Sequence, residues 1–344
     1  MDKNIDRIIC GDALEVLRSL PEKSVNVCIT SPPYFGLRDY GVAGQIGLEA
    51  SPEEYISRLV DIFKEARRVL CDDGTLWCNI GDSYNSYKGN AKSDTNGSNY
   101  AGFRNQPVRP GRYGLECKNL KPKDLIGIPW MLAFALRADG WYLRQDIIWA
   151  KPNPMPESVT DRCTKSHEYI FMLSKSQKYY YDNEAIKEPV AEATIKQLKK
   201  GISGSRKYID GAPGQRPHTL NTLRLNMKNM QYDGQPPNSF HVNRANGGAD
   251  KMYETRNKRS VWAVSTKSYK GAHFATFPID LITPCILAGC PPGGVALDPF
   301  FGSGTTGAAA LANGRHYIGI ELNPEYCALA GKRLDNAWEV ESGG

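Results

Sequence analysis

One stretch constrains the fold of this chain more than any other: VALDPFFGSGTTGAAALANGRHYIGIEL, residues 295–322. It predicts an apolar strand, a glycine turn, a helix and a second strand. Gly302 and Gly304 allow a tight turn and a close approach of the backbone to a ligand. Strands that alternate with helices form a mostly parallel sheet with helices on both faces, so we expect an α/β fold.

The glycine turn also suggests a ligand. Its letters GSGTTG match the GxGxxG pattern, and Glu321 closes the next strand, where nucleotide-binding units place a carboxylate on the ribose hydroxyls. No lysine follows Gly307, which excludes a phosphate-binding P-loop. Asp298 and Phe300 before the turn, together with Glu321, favour an adenosine with a charged sulfonium tail over a pyrophosphate. A strand–helix turn without a ligand is the alternative.

The alternation of strands and helices continues elsewhere in the chain. Apolar runs at residues 7–10 and 25–30 predict buried strands. Residues 51–70 predict an amphipathic helix with Ser51 as its N-cap and Glu54 three residues later. Three further elements are predicted before residue 176: a helix over DLIGIPWMLAFALRADG and strands over WYLRQDIIWAK and HEYIFMLSK.

Two polar, basic segments interrupt this pattern. Residues 84–123 hold eight Lys and Arg against two acidic residues, and residues 184–262 hold 14 against seven, while the rest of the chain is acidic. Such a distribution favours a polyanionic partner, although two solvated loops would also produce it. We expect residues 84–123 to form a mobile loop and residues 184–262 to form an insertion or a separate lobe.

Other features exclude several classes of protein. There is no run of about 18 apolar residues and no signal-peptide pattern at the start, so a cytoplasmic protein without membrane contact is expected. The nine cysteines lack CxxC spacing and the five histidines are dispersed, which favours reduced thiols and no metal site. Cys285 lies in an apolar, helix-like run and is expected to be a core cysteine.

A second motif ends the strand at 25–30: Ser31-Pro32-Pro33-Tyr34. With DPFFGSGTT it resembles the S-adenosylmethionine-dependent DNA amino-methyltransferases, which methylate the exocyclic amine of cytosine or adenine. The tetrapeptide precedes the glycine turn by some 270 residues, an order that resembles the circularly permuted beta class. The resemblance implies a Rossmann-like methyltransferase fold with a seven-stranded-type sheet. It also implies three regions: a catalytic half at 1–183, a target-recognition region at 184–262 and a cofactor-binding half at 263–344.

The resemblance assigns roles to individual residues. HFATFP resembles the segment that lines the methionine end of the cofactor, and GDALEVL resembles the strand end beside the adenine. The implied cofactor-binding residues are Asp12, His273, Phe274, Phe277, Pro278, Asp298, Phe300, Gly302, Ser303, Gly304, Thr305, Glu321 and Asn323. The candidates for DNA contacts in the basic segments are Arg104, Arg109, Arg112, Arg206, Lys207, Arg256, Lys258 and Arg259.

The chemistry explains the tetrapeptide. The lone pair of a base's exocyclic amine is delocalised into the ring, so the amine is a poor nucleophile. The Ser31 side chain and the Pro32 carbonyl can accept hydrogen bonds from the amine, so that its lone pair points at the sulfonium methyl. The prolines, Pro32 and Pro33, stiffen the turn. Tyr34 can stack on the target base, which must leave the double helix to be reached.

The choice of base and partners follows from the resemblance. Ser at the first position of the tetrapeptide goes mostly with N4-cytosine enzymes and Asp with N6-adenine enzymes, so N4-cytosine is expected and N6-adenine is the alternative. A non-catalytic DNA-binding protein on the same fold is the alternative from another class. Double-stranded DNA is the expected partner, in a restriction–modification system with a cognate endonuclease or in a phage or epigenetic system. Both a monomer and a homodimer stay open.

Overall fold

The computed structural model describes residues 5–37, 39–85, 117, 119–191, 255–266 and 277–342; for residues 336–342 it describes the backbone alone. The chain forms two compact units. The first consists of Met1–Ile186 with Arg259–Gly344, and the second is Lys187–Lys258.

The strands and helices of the described residues follow the predicted alternation. The strands are β1 (Arg7–Cys10), β2 (Val25–Thr30), β3 (Leu70–Ile80), β4 (Tyr142–Ala150), β5 (His167–Ser174), β6 (Glu188–Pro189), β7 (Thr255–Arg256), β8 (Val261–Ala263), β9 (Val295–Asp298) and β10 (His316–Glu321). The helices are α1 (Ala13–Ser19), α2 (Pro52–Val69), α3 (Ile128–Ala138), α4 (Ile279–Gly289), α5 (Thr305–Leu311) and α6 (Pro324–Ser342).

Eight of these strands form the sheet of the first unit, in the order β1-β10-β9-β2-β3-β5-β4-β8. Neighbours from β1 to β3 are parallel, whereas β5 is antiparallel to both β3 and β4. No helix connects β4 to β5, and a direct return of this kind gives an antiparallel pair. The three-residue β8 pairs parallel with β4 and adds an eighth strand to the predicted seven. The mostly parallel α/β sheet is confirmed.

Helices cover both faces of the sheet, as predicted. Alternate residues of β3 show the two faces: Leu76 and Cys78 belong to one hydrophobic cluster and Trp77 to the other. The first cluster also contains the buried side chains of α1, α2 and α3. The second contains those of α4 and α5, together with Leu334 of α6.

The start of α2 confirms the predicted capping interaction. The Ser51 hydroxyl accepts a hydrogen bond from the Glu54 N–H at 3.2 Å, and the Glu54 carboxylate accepts one from the Ala50 N–H at 3.1 Å. The first bond satisfies a backbone donor that the first helical turn leaves open, and the second ties the residue before the cap to the helix. The cap fixes where α2 begins, and Tyr55 in its first turn is then buried beneath the loop after β2.

Hydrogen bonds join the two ends of the predicted loop 84–123 to each other. The buried Asn85 amide donates to the carbonyls of Leu120 at 2.9 Å and Lys121 at 3.2 Å and accepts from the Cys117 N–H at 2.8 Å. The residues between these ends lie outside the described part of the chain, and so does the prediction that they form a mobile loop.

In the second unit, the described residues contain a short antiparallel pair, β6 with β7, in which Glu188 faces Arg256 and Pro189 faces Thr255. A role of residues 184–262 in target recognition stays a prediction. Within the described ranges, no helix is both long enough and apolar enough to cross a membrane.

Candidate active site

A pocket lies where the loops after β2, β9 and β10 meet, at the carboxyl ends of these parallel strands. Open α/β sheets bind ligands at this edge. The pocket brings together most of the predicted site residues: Asp12, Ser31, Pro32, Pro33, Tyr34, Phe277, Asp298, Phe300, Gly302, Ser303, Thr305, Glu321 and Asn323. Pro278 and Gly304 do not line it, and His273 and Phe274 lie outside the described residues.

Hydrogen bonds to α2 and within the loop before it hold the tetrapeptide segment in place. The Tyr55 hydroxyl donates to the Pro33 carbonyl at 2.9 Å, and the Gly36 N–H donates to the Gly47 carbonyl at 2.8 Å. Within the described part of the chain, nothing donates a hydrogen bond to the Pro32 carbonyl. That carbonyl is therefore available to accept a hydrogen bond from a substrate.

Tyr34 is fixed at both its ring and its hydroxyl. Gly81 lies against the ring, and a Cβ at that position would come within 2.7 Å of it. The hydroxyl lies 2.6 Å from Glu168 Oε2 and 3.2 Å from Asn79 Oδ1. Burial, and then the nearby Glu168 carboxylate, raise the pKa of Tyr34 well above its usual value. Tyr34 is therefore a neutral phenol and a hydrogen-bond donor.

Glu168 was not among the predicted site residues. Its second oxygen, Oε1, forms an ion pair with Lys151, and both side chains are largely buried. Tyr34 and Glu168 are 134 residues apart, on the loop after β2 and on β5. The contact depends on the antiparallel pairing of β3 with β5, so no local sequence pattern could have revealed it.

Asp298 joins the tetrapeptide strand to the glycine turn. Its carboxylate accepts hydrogen bonds from the Thr30 and Thr306 hydroxyls, both at 2.6 Å, and from the Phe300 N–H at 3.0 Å. Thr30 directly precedes Ser31, and Thr306 lies on α5. Burial raises the pKa of Asp298 to about 6, against the effect of these hydrogen bonds. The residue predicted to bind cofactor thus also fastens two sides of the pocket together.

Glu321 lines the pocket and braces the glycine turn. Its Oε2 accepts from the Gly302 N–H and its Oε1 from the Asn323 N–H, each at 2.8 Å. Burial raises the pKa of Glu321, and these backbone hydrogen bonds oppose the rise. Asn323 also caps the start of α6, because its side-chain oxygen accepts from the Glu325 N–H at 2.9 Å.

The glycine turn has the predicted tight geometry, with φ of +53° at Gly302 and +79° at Gly304. Ser303 and Thr305 are buried beside it, and their hydroxyls accept hydrogen bonds from Arg333 of α6 at 3.1 and 3.0 Å. This pairing was not predicted. It gives both hydroxyls a part in supporting the turn, and their direct contact with a cofactor stays a prediction.

Asp12 also has an unpredicted structural part. It is the N-cap of α1, and its Oδ1 accepts hydrogen bonds from the Leu14 N–H at 2.9 Å and the Glu15 N–H at 3.1 Å. Asp12 also lines the pocket, and its place beside the adenine stays a prediction.

The loop between the tetrapeptide and α2 forms a wall that the sequence did not predict. Tyr40 packs edge-on against Tyr326 of α6, with ring centroids 6.4 Å apart. The buried Glu49 carboxylate accepts from the Gly47 N–H at 2.8 Å and pairs with Arg58 at 2.7 Å. Other unpredicted lining residues are Gly11, Ala13, Leu37, Val42, Gly44, Gln45, Ile46, Pro299, Phe301 and Leu322. The sequence signal that could have revealed this wall is the four glycines spaced between the tetrapeptide and α2: Gly36, Gly41, Gly44 and Gly47.

Three of the residues that were predicted to contact DNA lie in the described part of the chain. Arg256 and Lys258 both pair with Glu188 in the second unit, at 3.6 and 3.4 Å. Arg259 is exposed, and its carbonyl accepts from the Trp262 ring N–H at 2.7 Å. Five predicted contacts lie outside the described residues: Arg104, Arg109, Arg112, Arg206 and Lys207.

No cysteine lines the pocket. The nine cysteines form no disulfide, and Cys285 is buried in the core as predicted. The part of the chain that the structure describes contains no cluster of three or more His, Cys, Asp or Glu side chains that could hold a metal ion.

Comparison with known proteins gives the chain a family. The family model described as DNA methylase, of the N6/N4 type, matches residues 25–332. The type II methyltransferase M.Cfr9I of Citrobacter freundii is 48% identical over 328 residues, which cover 94% of this chain and 86% of the relative. The type II methyltransferase M.SmaI of Serratia marcescens is 44% identical over 330 residues, covering 95% and 90%.

Solved structures show the same fold. The cytosine-N4-specific PvuII DNA methyltransferase gives a TM-score of 0.56 at 17% identity and covers 98% of this chain and 95% of its own. A Thermus thermophilus protein described as a DNA modification methylase, solved with S-adenosyl-L-methionine, gives 0.54 at 22% identity, covering 96% and 93%. The predicted Rossmann-like fold is thereby confirmed, whereas the beta-class motif order stays a prediction. With this family match over most of its length, the chain belongs to the N6/N4 DNA methylases, the S-adenosylmethionine-dependent DNA amino-methyltransferases.

Proposed function

We propose that this protein methylates the N4 amine of cytosine at a specific short site in double-stranded DNA, with S-adenosylmethionine as methyl donor. The observation that carries the proposal is the pocket itself. It unites the tetrapeptide after β2 with the glycine turn after β9 and with Glu321 at the end of β10. The hydrogen bond from Thr30 to Asp298 joins residues 268 positions apart, so the fold assembles these motifs into one site.

The pocket residues fit this cofactor. Each oxygen of Glu321 accepts one backbone N–H and keeps a lone pair for a ribose hydroxyl. Phe277, Phe300 and Tyr40 offer flat apolar walls to an adenine ring. Gly302, at positive φ, lets the backbone approach the ligand without a side chain. When bound, S-adenosylmethionine supplies a methyl group activated by its sulfonium charge.

The tetrapeptide prepares the amine of the base. The Ser31 oxygen and the Pro32 carbonyl oxygen accept hydrogen bonds from its two N–H groups and draw the nitrogen toward tetrahedral geometry. The localised lone pair would form the new nitrogen–carbon bond, while the carbon–sulfur bond of the donor would break with its electron pair kept by sulfur and the nitrogen would release one proton. Preorganised acceptors of this kind contribute much of the rate enhancement when two reactants are held in line.

The target base must separate from its paired and stacked neighbours to enter this pocket. The exocyclic amine of a stacked, paired base cannot reach Ser31 on the loop after β2, so the base has to flip out of the duplex. Tyr34, held by Gly81 and Glu168, presents a fixed ring at the pocket wall on which the flipped base can stack.

Ser31 supports cytosine over adenine. Its neutral hydroxyl stands where N6-adenine members of the family mostly carry a charged Asp, and the assignment depends on this family association. The two relatives named type II methyltransferases support a restriction–modification context, in which a cognate endonuclease would cut the unmethylated site.

Methyl transfer from labelled S-adenosylmethionine to DNA, RNA and protein tests the reaction, and digestion of the DNA to nucleosides tests the base. We expect label in double-stranded DNA alone, recovered as N4-methylcytosine. Recovery of N6-methyladenine instead would refute the choice of base and leave the reaction standing. Label in RNA or protein but not in DNA would refute the reaction.

A further inference from the structure

The loop between β4 and β5 leaves the sheet at the edge that holds the pocket. β3 and β4 run in the same direction, because each is antiparallel to β5, so their carboxyl ends share this edge with the carboxyl end of β2. The loop begins with the sequence KPNPMP, residues 151–156, which has no part in the proposed function. Within it, Met155 is 84% exposed to solvent.

Both ends of this loop are fixed beside Tyr34. At the start, Lys151 pairs with one oxygen of Glu168, and the other oxygen lies 2.6 Å from the Tyr34 hydroxyl. At the end, Lys165 Nζ donates at 2.6 Å to the carbonyl of Asp82, the residue after the glycine that lies against the Tyr34 ring. The loop therefore rises from the two sides of the ring on which we propose that the target base stacks.

The tip of the loop is held in place on both sides of Met155. The Asn153 side chain accepts from the Thr266 N–H at 2.9 Å and donates to the Thr266 carbonyl at 3.1 Å. Glu157 pairs with Arg162 at 2.6 Å. A proline stands directly before Met155 and another directly after it, and proline restricts the backbone φ. The exposed methionine is thus carried on a stiff tip.

The proposed function supplies a partner for this side chain. A large apolar side chain gains free energy when a partner removes it from water. A flipped base leaves an apolar gap between the bases that it was stacked on, and the flipped nucleotide stays bonded to its strand, so the gap lies just outside the pocket. Met155 is four residues after Lys151, so its Cα lies within about 14 Å of the Lys151 Cα.

We propose that Met155 is a wedge: it enters the duplex as the target base leaves and fills the gap in the stack. DNA-bending proteins insert apolar side chains, methionine among them, between base steps in this way. The unbranched, polarizable methionine side chain adapts its shape to an irregular gap and makes favourable contacts with aromatic rings. This proposal rests on the proposed function, because it requires a base that flips out of double-stranded DNA.

A wedge can be distinguished from a loop residue with another task. A wedge offsets the free energy of breaking and unstacking the target pair, so it matters less when that pair is already broken. If Met155 instead contacted another protein or only supported the loop, its loss would affect paired and mispaired DNA equally.

The test uses a duplex that carries the methylated site, mapped by sequencing DNA that the wild-type protein has modified, and the same duplex with the target base mispaired. Single-turnover methyl transfer is measured on both. We expect Met155→Ala and Met155→Gln to slow transfer roughly tenfold on the paired duplex, the effect of withdrawing one buried apolar side chain. On the mispaired duplex the loss should not exceed about twofold.

Two further variants are matched controls. Met155→Leu keeps an apolar side chain of similar size and should keep transfer within about twofold of wild type on both duplexes. Tyr142→Ala removes a side chain that is 45% exposed at the amino end of β4, at the opposite edge of the sheet, and should transfer at the wild-type rate. The affinity for S-adenosylmethionine should be unchanged in all Met155 variants.

The outcomes separate the wedge from the proposed function. Wild-type transfer by Met155→Ala on the paired duplex, or equal losses on the two duplexes, would overturn the wedge while the proposed function stands. If Met155→Ala unfolds at a lower temperature than wild type, Met155→Gln carries the same comparison, because it keeps the length of the side chain. If the wild-type protein binds the cofactor and transfers no methyl group to DNA, the proposed function falls and the wedge with it.

Discussion

Asp298 shows how one buried side chain serves both halves of the pocket. It accepts hydrogen bonds from two hydroxyls, one on the strand that carries the tetrapeptide and one on the helix that follows the glycine turn. A carboxylate buried with neutral donors gains hydrogen bonds but loses its hydration. The net result is a raised pKa, because the loss of hydration outweighs the hydrogen bonds that favour the charged carboxylate.

This gives a pH dependence with a definite sign. Because the pKa of Asp298 is about 6 in the folded protein and about 3.9 when unfolded, the folded state binds the proton more tightly between these values. The free energy of unfolding contributed by Asp298 therefore falls as pH rises, by about 1.4 kcal/mol from pH 5 to pH 7.5. Urea unfolding of wild type and Asp298→Asn over this range measures the effect. As the pH rises, the free energy of unfolding of the variant should increase by that amount relative to that of wild type. A constant difference between the two would contradict the assignment.

Glu321 has two tasks, and its loss should show both. Glu321→Ala removes the acceptor proposed for the ribose and the brace on the Gly302 N–H, so S-adenosylmethionine binding should weaken by about 1.5–3 kcal/mol. Calorimetric titration measures this. Glu325→Ala, on the exposed first turn of α6, is the control with unchanged affinity. An unaltered dissociation constant in Glu321→Ala would mean that the ribose is held elsewhere.

The regular elements could be predicted because their signals are local. The cap at Ser51, the apolar periodicity of α2 and the glycines of the turn are read from neighbouring residues, and the structure places them as expected. Chain order also gave the parallel sheet, because strands separated by helices return in the same direction.

What escaped prediction depends on contacts between distant residues. Glu168 meets Tyr34 because β5 runs antiparallel between β3 and β4, and no pattern near either residue shows that pairing. Arg333 on α6 turns the hydroxyls of Ser303 and Thr305 toward itself for the same reason. The predicted residues were thus mostly gathered in the pocket, while the partners that hold them were missed.

The packing around β10 requires a glycine in that strand, and this requirement can be tested. A Cβ at Gly319 would lie 2.3 Å from the ring of Phe301, which stacks on Tyr317 beside the glycine turn. Gly319→Ala should therefore lower the free energy of unfolding by about 1–3 kcal/mol, the usual effect of overpacking. Gly331→Ala in α6 is the matched control, since a Cβ there meets nothing within 4 Å, and it should stabilise by about 0.5–1 kcal/mol. Equal effects of the two substitutions would contradict this packing.

For the whole molecule, charge is the feature from which we predict contacts with DNA. The chain carries +6, and its basic excess lies in two polar segments outside an acidic remainder. Arg256 and Lys258 each pair with Glu188, so reversing their charge would disturb the β6–β7 pair as well as any phosphate contact. Neutral substitutions elsewhere in the segment give a cleaner test.

The salt dependence of DNA binding should reveal these contacts. Affinity should fall with salt at a slope of about −0.9 per phosphate contacted, so Arg206→Gln with Lys207→Gln should reduce the slope by up to about 1.8. Fluorescence anisotropy of labelled duplex DNA at several salt concentrations measures it, with cofactor affinity as the control. An unchanged slope would remove these two residues from the DNA interface.

The central claim is that Ser31 accepts a hydrogen bond from the target amine and takes no part in binding the cofactor. Its most direct test is the rate of methyl transfer to DNA by Ser31→Ala, measured beside its affinity for S-adenosylmethionine, with Ser19→Ala at the exposed end of α1 as control. We predict a loss on the order of 10²-fold or more in the rate, the effect of removing one preorganised hydrogen-bonding group, and no change in cofactor affinity. Transfer by Ser31→Ala at the wild-type rate would contradict the account.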